Sequence, residues 1–366
     1  MKSRLLYTLM GVMSLLAFVG CEVHEFPEIR KELVPFQLHL DFNTEMPLYK
    51  EVIYTRSGES TTKAPVPVVD HDVRYVINAY RVDNARGENR VADTTFVFLK
   101  SDIDNLNYTA QFEIYEGTYD FRVWCDYVNA GNRGDKYYNT SDFSEIILAS
   151  RSNHSGSNDF RDAFRGSTTA TVMNPAYYTG EILNTIDNQA TAKMMRPMGK
   201  FKFISTDVDA FLNRVLQEME SRGEDVNLSP ESNDFSLMGI DISEFTIVFR
   251  YNIFMPCSFN MFTDKPADSW TGMSFPSKMY IDGDDKKELV LGYDYAFVNG
   301  NETTLSISVA VYNKYGELMS ETNPINVPIV RSKLTIVRGE FLTSRATGGV
   351  AINPGYDGDD YNIEIL

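Results

Sequence analysis

Phe36-Gln37-Leu38-His39-Leu40-Asp41-Phe42 alternates apolar and polar residues without a break. Side chains leave a β-strand on opposite faces in turn. Phe36, Leu38, Leu40 and Phe42 therefore share one face, and Gln37, His39 and Asp41 share the other. The segment reads as a strand with one side in a core and one side in water. Moving outward, residues 119–128 repeat the pattern, with Tyr119, Phe121, Val123, Cys125 and Tyr127 on one face. Residues 73–82, 94–100, 108–114 and 144–149 also read as strands. Turn signals separate them, among them Asp83-Asn84-Ala85-Arg86-Gly87 and Glu116-Gly117. Many strands punctuated by turns predict a β-sandwich. Residues 150–166 read as a long polar loop.

The alternation resets at Ala192-Lys193-Met194-Met195-Arg196-Pro197. Residues 199–205 then read as a strand and 207–222 as a helix, because Val208, Phe211, Leu212, Val215, Leu216 and Met219 recur at helical spacing. Thr206 with Asp209 resembles a capping box, and Gly223 is placed to end the helix. Strands resume at 245–251, 289–298, 304–312, 325–330, 334–342 and 361–365. The expectation is a mainly β protein of two tandem sandwiches, residues 36–195 and 196–366, with one helix in the second.

Composition fits this class. The 366 residues are 43% hydrophobic and 13% aromatic, enough for sizeable β cores. A net charge of −17 argues against nucleic acid and anionic lipid headgroups as partners. At the start, Lys2 and Arg4 precede an apolar run over residues 5–19, then small Gly20 and Cys21. The run is shorter than the roughly 20 residues that span a bilayer. It is a secretory signal pattern. Phe18-Val19-Gly20-Cys21 resembles the cleavage motif of a bacterial lipoprotein, with Phe18 where Leu is usual. The expectation is a signal peptide over 1–20, lipid on Cys21 and a charged, proline-bearing tether over 21–35. Cys125 and Cys257 are then expected as buried free thiols.

Catalytic chemistry is hard to find. None of His24, His39, His71 and His154 stands at a metal-binding spacing from another His or a Cys. His71-Asp72 has no recognisable nucleophile beside it. Asp282-Gly283-Asp284-Asp285 and Asp357-Gly358-Asp359-Asp360 fit ordinary Asp-Gly turns better than calcium loops. No enzyme activity, cofactor or metal is expected. Asp93-Thr94-Thr95 resembles a short O-glycosylation acceptor of Bacteroidetes, with Thr94 as the acceptor. Tyr137, Tyr138, Tyr177, Tyr178 and Trp270 fall in loop-like stretches suited to stacking on sugars. They support an alternative reading as a surface glycan-binding lipoprotein of a nutrient-uptake system.

Five stretches of the second half carry a family resemblance. They are Met255-Pro256-Cys257-Ser258-Phe259-Asn260, residues 291–300, Val327-Pro328-Ile329-Val330-Arg331-Ser332-Lys333-Leu334-Thr335, residues 338–343 and residues 348–354. With the lipoprotein signal they resemble the fimbrillin-like lipoproteins of Bacteroidetes, including fimbrial anchor subunits. The Val-Pro-x-x-Arg-x-x-Leu-Thr segment is the most specific. The resemblance implies two transthyretin-like β-sandwiches in a pilus anchor or structural subunit on the cell outer membrane. It implies other fimbrial subunits, the membrane through the N-terminal lipid, and host or bacterial surface ligands as partners. Assembly in that family resembles strand exchange: a protease removes an N-terminal strand and a neighbour's strand fills the groove. Here residues 36–42 are the removable strand, Arg56 is the candidate cleavage site, and residues 361–366 are the candidate donor. In an anchor the N-terminal strand would stay.

Overall fold

The computed structural model describes residues 32–42, 71–82, 91–152, 154–224, 236–237, 240–281, 288–344, 352–357 and 360–365. The fold is mainly β and built from sandwich-type sheets. In the first half, β1 (Leu33–Phe42), β2 (His71–Arg81), β3 (Thr94–Lys100), β4 (Tyr108–Tyr115) and β5 (Gly117–Asn129) are joined by strands Phe164–Val172 and Gln189–Met194. One sheet has the order β4, β1, Gln189–Met194. The other runs β3, β2, β5, Phe164–Val172. Their inner faces share a core that includes Leu38, Tyr75, Ile77, Phe121 and Val123. All five predicted inward residues of β5 lie in it, Cys125 among them. β1 begins at Leu33, inside the segment expected as tether. Pro35, which has no N–H to give, stands before the parallel pairing of β1 begins at Gln37.

In the second half, one sheet has the order Leu289–Phe297, Met198–Ser205, Leu334–Gly339, Asp360–Ile365, Ile352–Asp357. The facing sheet runs Ser274–Ser277, Thr246–Tyr251, Glu302–Tyr312, Leu318–Glu321, and Ile325–Val330 also pairs with Glu302–Tyr312. Phe203, Phe249, Leu291, Val309 and Val327 fill the space between. The helix spans Val208–Ser221 and buries Val208, Phe211, Leu212 and Val215, with Phe211 edge-on to Phe245 at 5.2 Å between ring centres. Gly223 (φ 70°) follows it in the left-handed region.

The expected capping box does not form. Asp207 takes the N-cap position, and its carboxylate makes no bond to the helix. It accepts instead from the Thr343 N–H (2.7 Å), the Thr343 hydroxyl (2.7 Å) and the Leu342 N–H (3.3 Å). Those donors lie past the end of the Leu334–Gly339 strand, where no ladder partner serves them. The Val-Pro-x-x-Arg segment makes the preceding turn. Ser332 sits at φ 58° and its N–H donates to Met198 O at 3.0 Å. Arg331 donates to Asp264 (2.9 Å) and Val298 O (3.0 Å), and the Thr335 hydroxyl reaches Pro328 O at 2.7 Å.

The two halves are not insulated from each other. Tyr138–Asn139 and Ile146–Leu148 form one sheet with Ser258–Asn260 and Lys265–Pro266. Val76, Trp124, Tyr138, Phe143 and Ile146 pack into the second core together with Phe259 and Phe297. Of the strand expected at 144–149, only Ile146–Leu148 forms.

Candidate functional site

β1 is the centre of its sheet, not an edge. It pairs antiparallel with β4, from Leu33 opposite Tyr115 to Leu40 opposite Tyr108. On its other flank it pairs in parallel with Gln189–Met194, from Gln37 opposite Gln189 to Phe42 opposite Met194. Val34, Phe36, Leu38 and Leu40 are at most 2% exposed. Phe36 stacks on Phe121 at 5.1 Å and tilts against Phe112 at 5.7 Å, and Phe42 meets Phe164 edge-on at 5.2 Å. On the wet face, His39 spans the sheet through Thr109 Oγ1 (2.9 Å) and Gln189 Oε1 (3.4 Å). Burying four such side chains contributes about 6–12 kcal/mol, at roughly 1.5–3 kcal/mol each. A whole domain is stable by about 5–15 kcal/mol. Removing β1 would thus take most of the stability of the first sandwich and leave two facing edges of unpaired backbone groups.

A second feature was invisible in the sequence. The stretch expected as a polar loop, 150–166, is a clasp between the halves. Its short turn Asp159–Arg161, with Asp162, presents three consecutive ionic partnerships to the second half. Asp159 pairs with Lys200 (2.5 Å) and accepts from the Tyr293 (2.9 Å) and Tyr295 (2.8 Å) hydroxyls. Arg161 pairs with Asp294, which also takes hydrogen bonds from His154 Nε2 (2.6 Å) and the Tyr251 hydroxyl (2.6 Å). Asp162 receives Arg196 through Nε (2.8 Å) and Nη2 (2.7 Å). Between these, Phe160 stacks on His71 at 3.6 Å, which pins the turn to the first half. Burial pushes the Asp294 carboxyl up, yet Arg161 and His154 outweigh it and hold it below the usual value. Burial, with Arg161 adding to it, holds His154 below its usual value, so it stays neutral. Each ionic group of the clasp is engaged by another, and none is a free nucleophile. The one sequence cue was composition: Asp, Arg and Asp within four residues beside Phe160.

The predicted site residues fall as follows. Cys21 and Arg56 lie outside the described residues. Thr94 opens β3, half-buried, with Ala79 as its register partner. His71 and Asp72 do not orient each other: Asp72 accepts from the Gly131 N–H (2.8 Å), while His71 faces Tyr137 and Phe160. Residues 282–285 lie outside the described residues. Asp357 and Asp360 are register partners in the pairing of strands Ile352–Asp357 and Asp360–Ile365. Among the described residues no group of three or more His, Cys, Asp or Glu is placed to hold a metal ion, and no helix is long and apolar enough to cross a membrane. Cys125 and Cys257 are buried free thiols in different cores. The five aromatics do not make one stacking platform. Tyr138 is fully buried, Trp270 packs partly into the second core, Tyr137 stacks on His71, and the Tyr178 hydroxyl is tied to Glu116 at 2.6 Å. Tyr177 alone is widely exposed. The expected donor segment is strand Asp360–Ile365, paired within its own chain to Leu334–Gly339 and Ile352–Asp357.

Residues 32–365 match a family of unknown function (DUF6562), from the first residues of β1 to the end of the last strand. The chain belongs to that family. No curated protein matches it. Among solved structures it is similar to a fimbrial assembly protein from Parabacteroides distasonis ATCC 8503 (11% identity, TM-score 0.38, 92% of this chain and 100% of that one). It is also similar to a Bacteroides ovatus ATCC 8483 protein named for cell adhesion (10%, 0.39, 92% and 97%). A third is the fimbrial anchor protein Mfa2 from Porphyromonas gingivalis (10%, 0.33, 79% and 82%).

Proposed function

We propose that this DUF6562 protein is a lipid-anchored surface protein that anchors or builds a fimbrium by β-strand complementation, without enzymatic activity. The observation that carries the reading is β1. It is central in its sheet, supplies four fully buried apolar side chains, and is joined to the rest of the fold only through residues 43–70. A cut at Arg56 would leave it held by non-covalent contacts alone, and a neighbour's strand of matching alternation could replace it. Uncut, it keeps the lipid fastened to the first sandwich, as an anchor requires. Two experiments test the reading. Cys21→Ala should abolish acyl labelling and release the chain from membranes, and unchanged labelling would sink the lipoprotein part. Treatment with an arginine-specific protease, with cognate subunits present, should give ordered oligomers that Arg56→Ala prevents. Clean cleavage without assembly would count against complementation.

A further inference from the structure

Five large apolar side chains stay exposed at the end of the first sandwich where β1 begins, or on the 173–188 segment tied to it: Leu33, Tyr115, Tyr177, Ile182 and Leu183. Leu33 and Tyr115 are register partners at the outer end of β1 and β4. Glu116, next along, accepts from the Tyr178 hydroxyl (2.6 Å) and the Asn174 N–H (3.2 Å), and the Asn174 amide reaches Glu32 at 3.4 Å. Asn188 closes the neck of the segment carrying Tyr177, Ile182 and Leu183 by exchanging hydrogen bonds with the Met173 backbone (3.0 and 2.9 Å). Its carbonyl accepts from the Gln37 N–H at 3.0 Å, which fixes the segment beside β1. Ile182 is 53% exposed and Tyr177 51%.

This is also the end at which the chain enters the fold. Only residues 22–31 separate Cys21 from Glu32. At roughly 3.3–3.6 Å per residue they reach no more than about 40 Å. The chain leaves for the second half from the opposite end, because Gln189–Met194 runs parallel to β1 and finishes beside Phe42, and the second half meets the flank of the first through Met261 and Phe262 against Arg122 and Tyr80. In a chain acylated at Cys21 this apolar end is therefore the part of the first sandwich that the tether joins directly to the lipid.

We propose that this end of the first sandwich rests on a neutral lipid surface, with Tyr115 and Tyr177 at headgroup level and Leu33, Ile182 and Leu183 beneath them. The proposal rests on the lipoprotein reading above. Tyrosine suits the position because its ring is apolar and its hydroxyl stays wet. Exposed aliphatic side chains gain by entering the boundary of the acyl region. The charge favours zwitterionic over anionic lipid, since Glu32 and Glu116 at this end and Glu181 beside Ile182 outnumber Arg81, which donates to the Glu116 carbonyl, and would be repelled by anionic headgroups.

The test is hydrogen exchange on the mature full chain in phosphatidylcholine vesicles, with the full chain carrying Cys21→Ala in buffer as reference. Slower exchange is expected at residues 113–117 and 175–184 in vesicles and not at the distant turn 313–317. The protection should be lost in the Tyr177→Ser, Ile182→Ser, Leu183→Ser triple variant, which still floats with the vesicles through its lipid. Equal exchange with and without vesicles, for a chain that floats, overturns the proposal and leaves the lipoprotein reading standing. Protection that needs no vesicles and rises with protein concentration assigns the patch to a second copy and overturns it. Stronger protection on phosphatidylglycerol does the same. If intact mass shows no acyl group, the lipoprotein reading fails. The patch is then judged by titrating the Cys21→Ala chain with phosphatidylcholine, where absence of protection overturns it.

Discussion

Asp294→Asn is the sharpest probe of the clasp. Asparagine keeps the shape but has one accepting oxygen: if that oxygen still serves Tyr251 and His154, its amide NH2 faces Arg161 and the Tyr295 N–H, so the change removes the charge and the acceptor those two donors share. Arg161, 3% exposed, then keeps a buried guanidinium with no counter-charge at its Asp294 contact. Breaking one side of such a buried pair costs about 3–5 kcal/mol, roughly a fifth or more of a domain's stability of about 5–15 kcal/mol. With a urea slope of about 3 kcal/mol per M, the unfolding midpoint should fall by about 1 M or more. Trp124 and Trp270 both pack at the second core, so tryptophan fluorescence follows the transition. Acid should act through the same groups. His154 is held below 6.5 in the fold by burial and Arg161. As pH falls below 6.5 the unfolded chain takes up its proton first, and stability drops by up to about 1.4 kcal/mol per pH unit until folded His154 titrates. Asp294, held below 3.8, adds a second loss as pH falls through its folded value. His154→Gln should flatten the first phase only. A midpoint shift under about 0.3 M for Asp294→Asn, equivalent to ~1 kcal/mol, would refute the view that this ion pair holds the halves together.

Leu38→Ala, at a fully buried site in β1, should cost about 2–5 kcal/mol in urea unfolding, whereas Gln37→Ala on the wet face should cost under about 1 kcal/mol. Equal costs would mean that β1 does not fill the core. Cys125 and Cys257 should resist alkylation at pH 8 in the native chain and react together on unfolding. Burial pushes both thiols up, Cys257 to about 12. Fast native labelling of either, read by mass, would contradict its burial.

Strands that face one core and water were readable because alternation is a direct trace of burial. β1 and β5 appear where their patterns put them. Phe164–Val172, Phe-Arg-Gly-Ser-Thr-Thr-Ala-Thr-Val, was not readable, because its small and polar residues carry little alternation. It is a strand because β5 offers it a ladder, from Gly117 opposite Val172 to Cys125 opposite Phe164. The helix face was legible at 3.6 spacing, but its cap was not, since Asp207 answers to Thr343, far away in sequence. The clasp shows the same limit more strongly. Asp159, Arg161 and Asp162 look like solvated loop charges, and their partners Lys200, Asp294 and Arg196 are 34 to 133 residues away. The central place of β1 also depends on Gln189–Met194, which no local pattern announced.

The parallel pairing of β1 with Gln189–Met194 sets how the first sandwich responds to tension. In a chain lipidated at Cys21 as proposed, a load between the lipid and the second half would pull on the start of β1 at Leu33 and on the end of its neighbour at Met194. Two parallel strands drawn from opposite ends slide past each other, so all their hydrogen bonds are strained at once instead of opening one after another. Antiparallel pairing there would let the same load unzip them singly. In that case the load would pass through a junction in shear, whose lifetime under force is set by its unfolding rate. A cut at Arg56 would leave β1 in the line of pull held only by its pairing on both flanks and its core contacts.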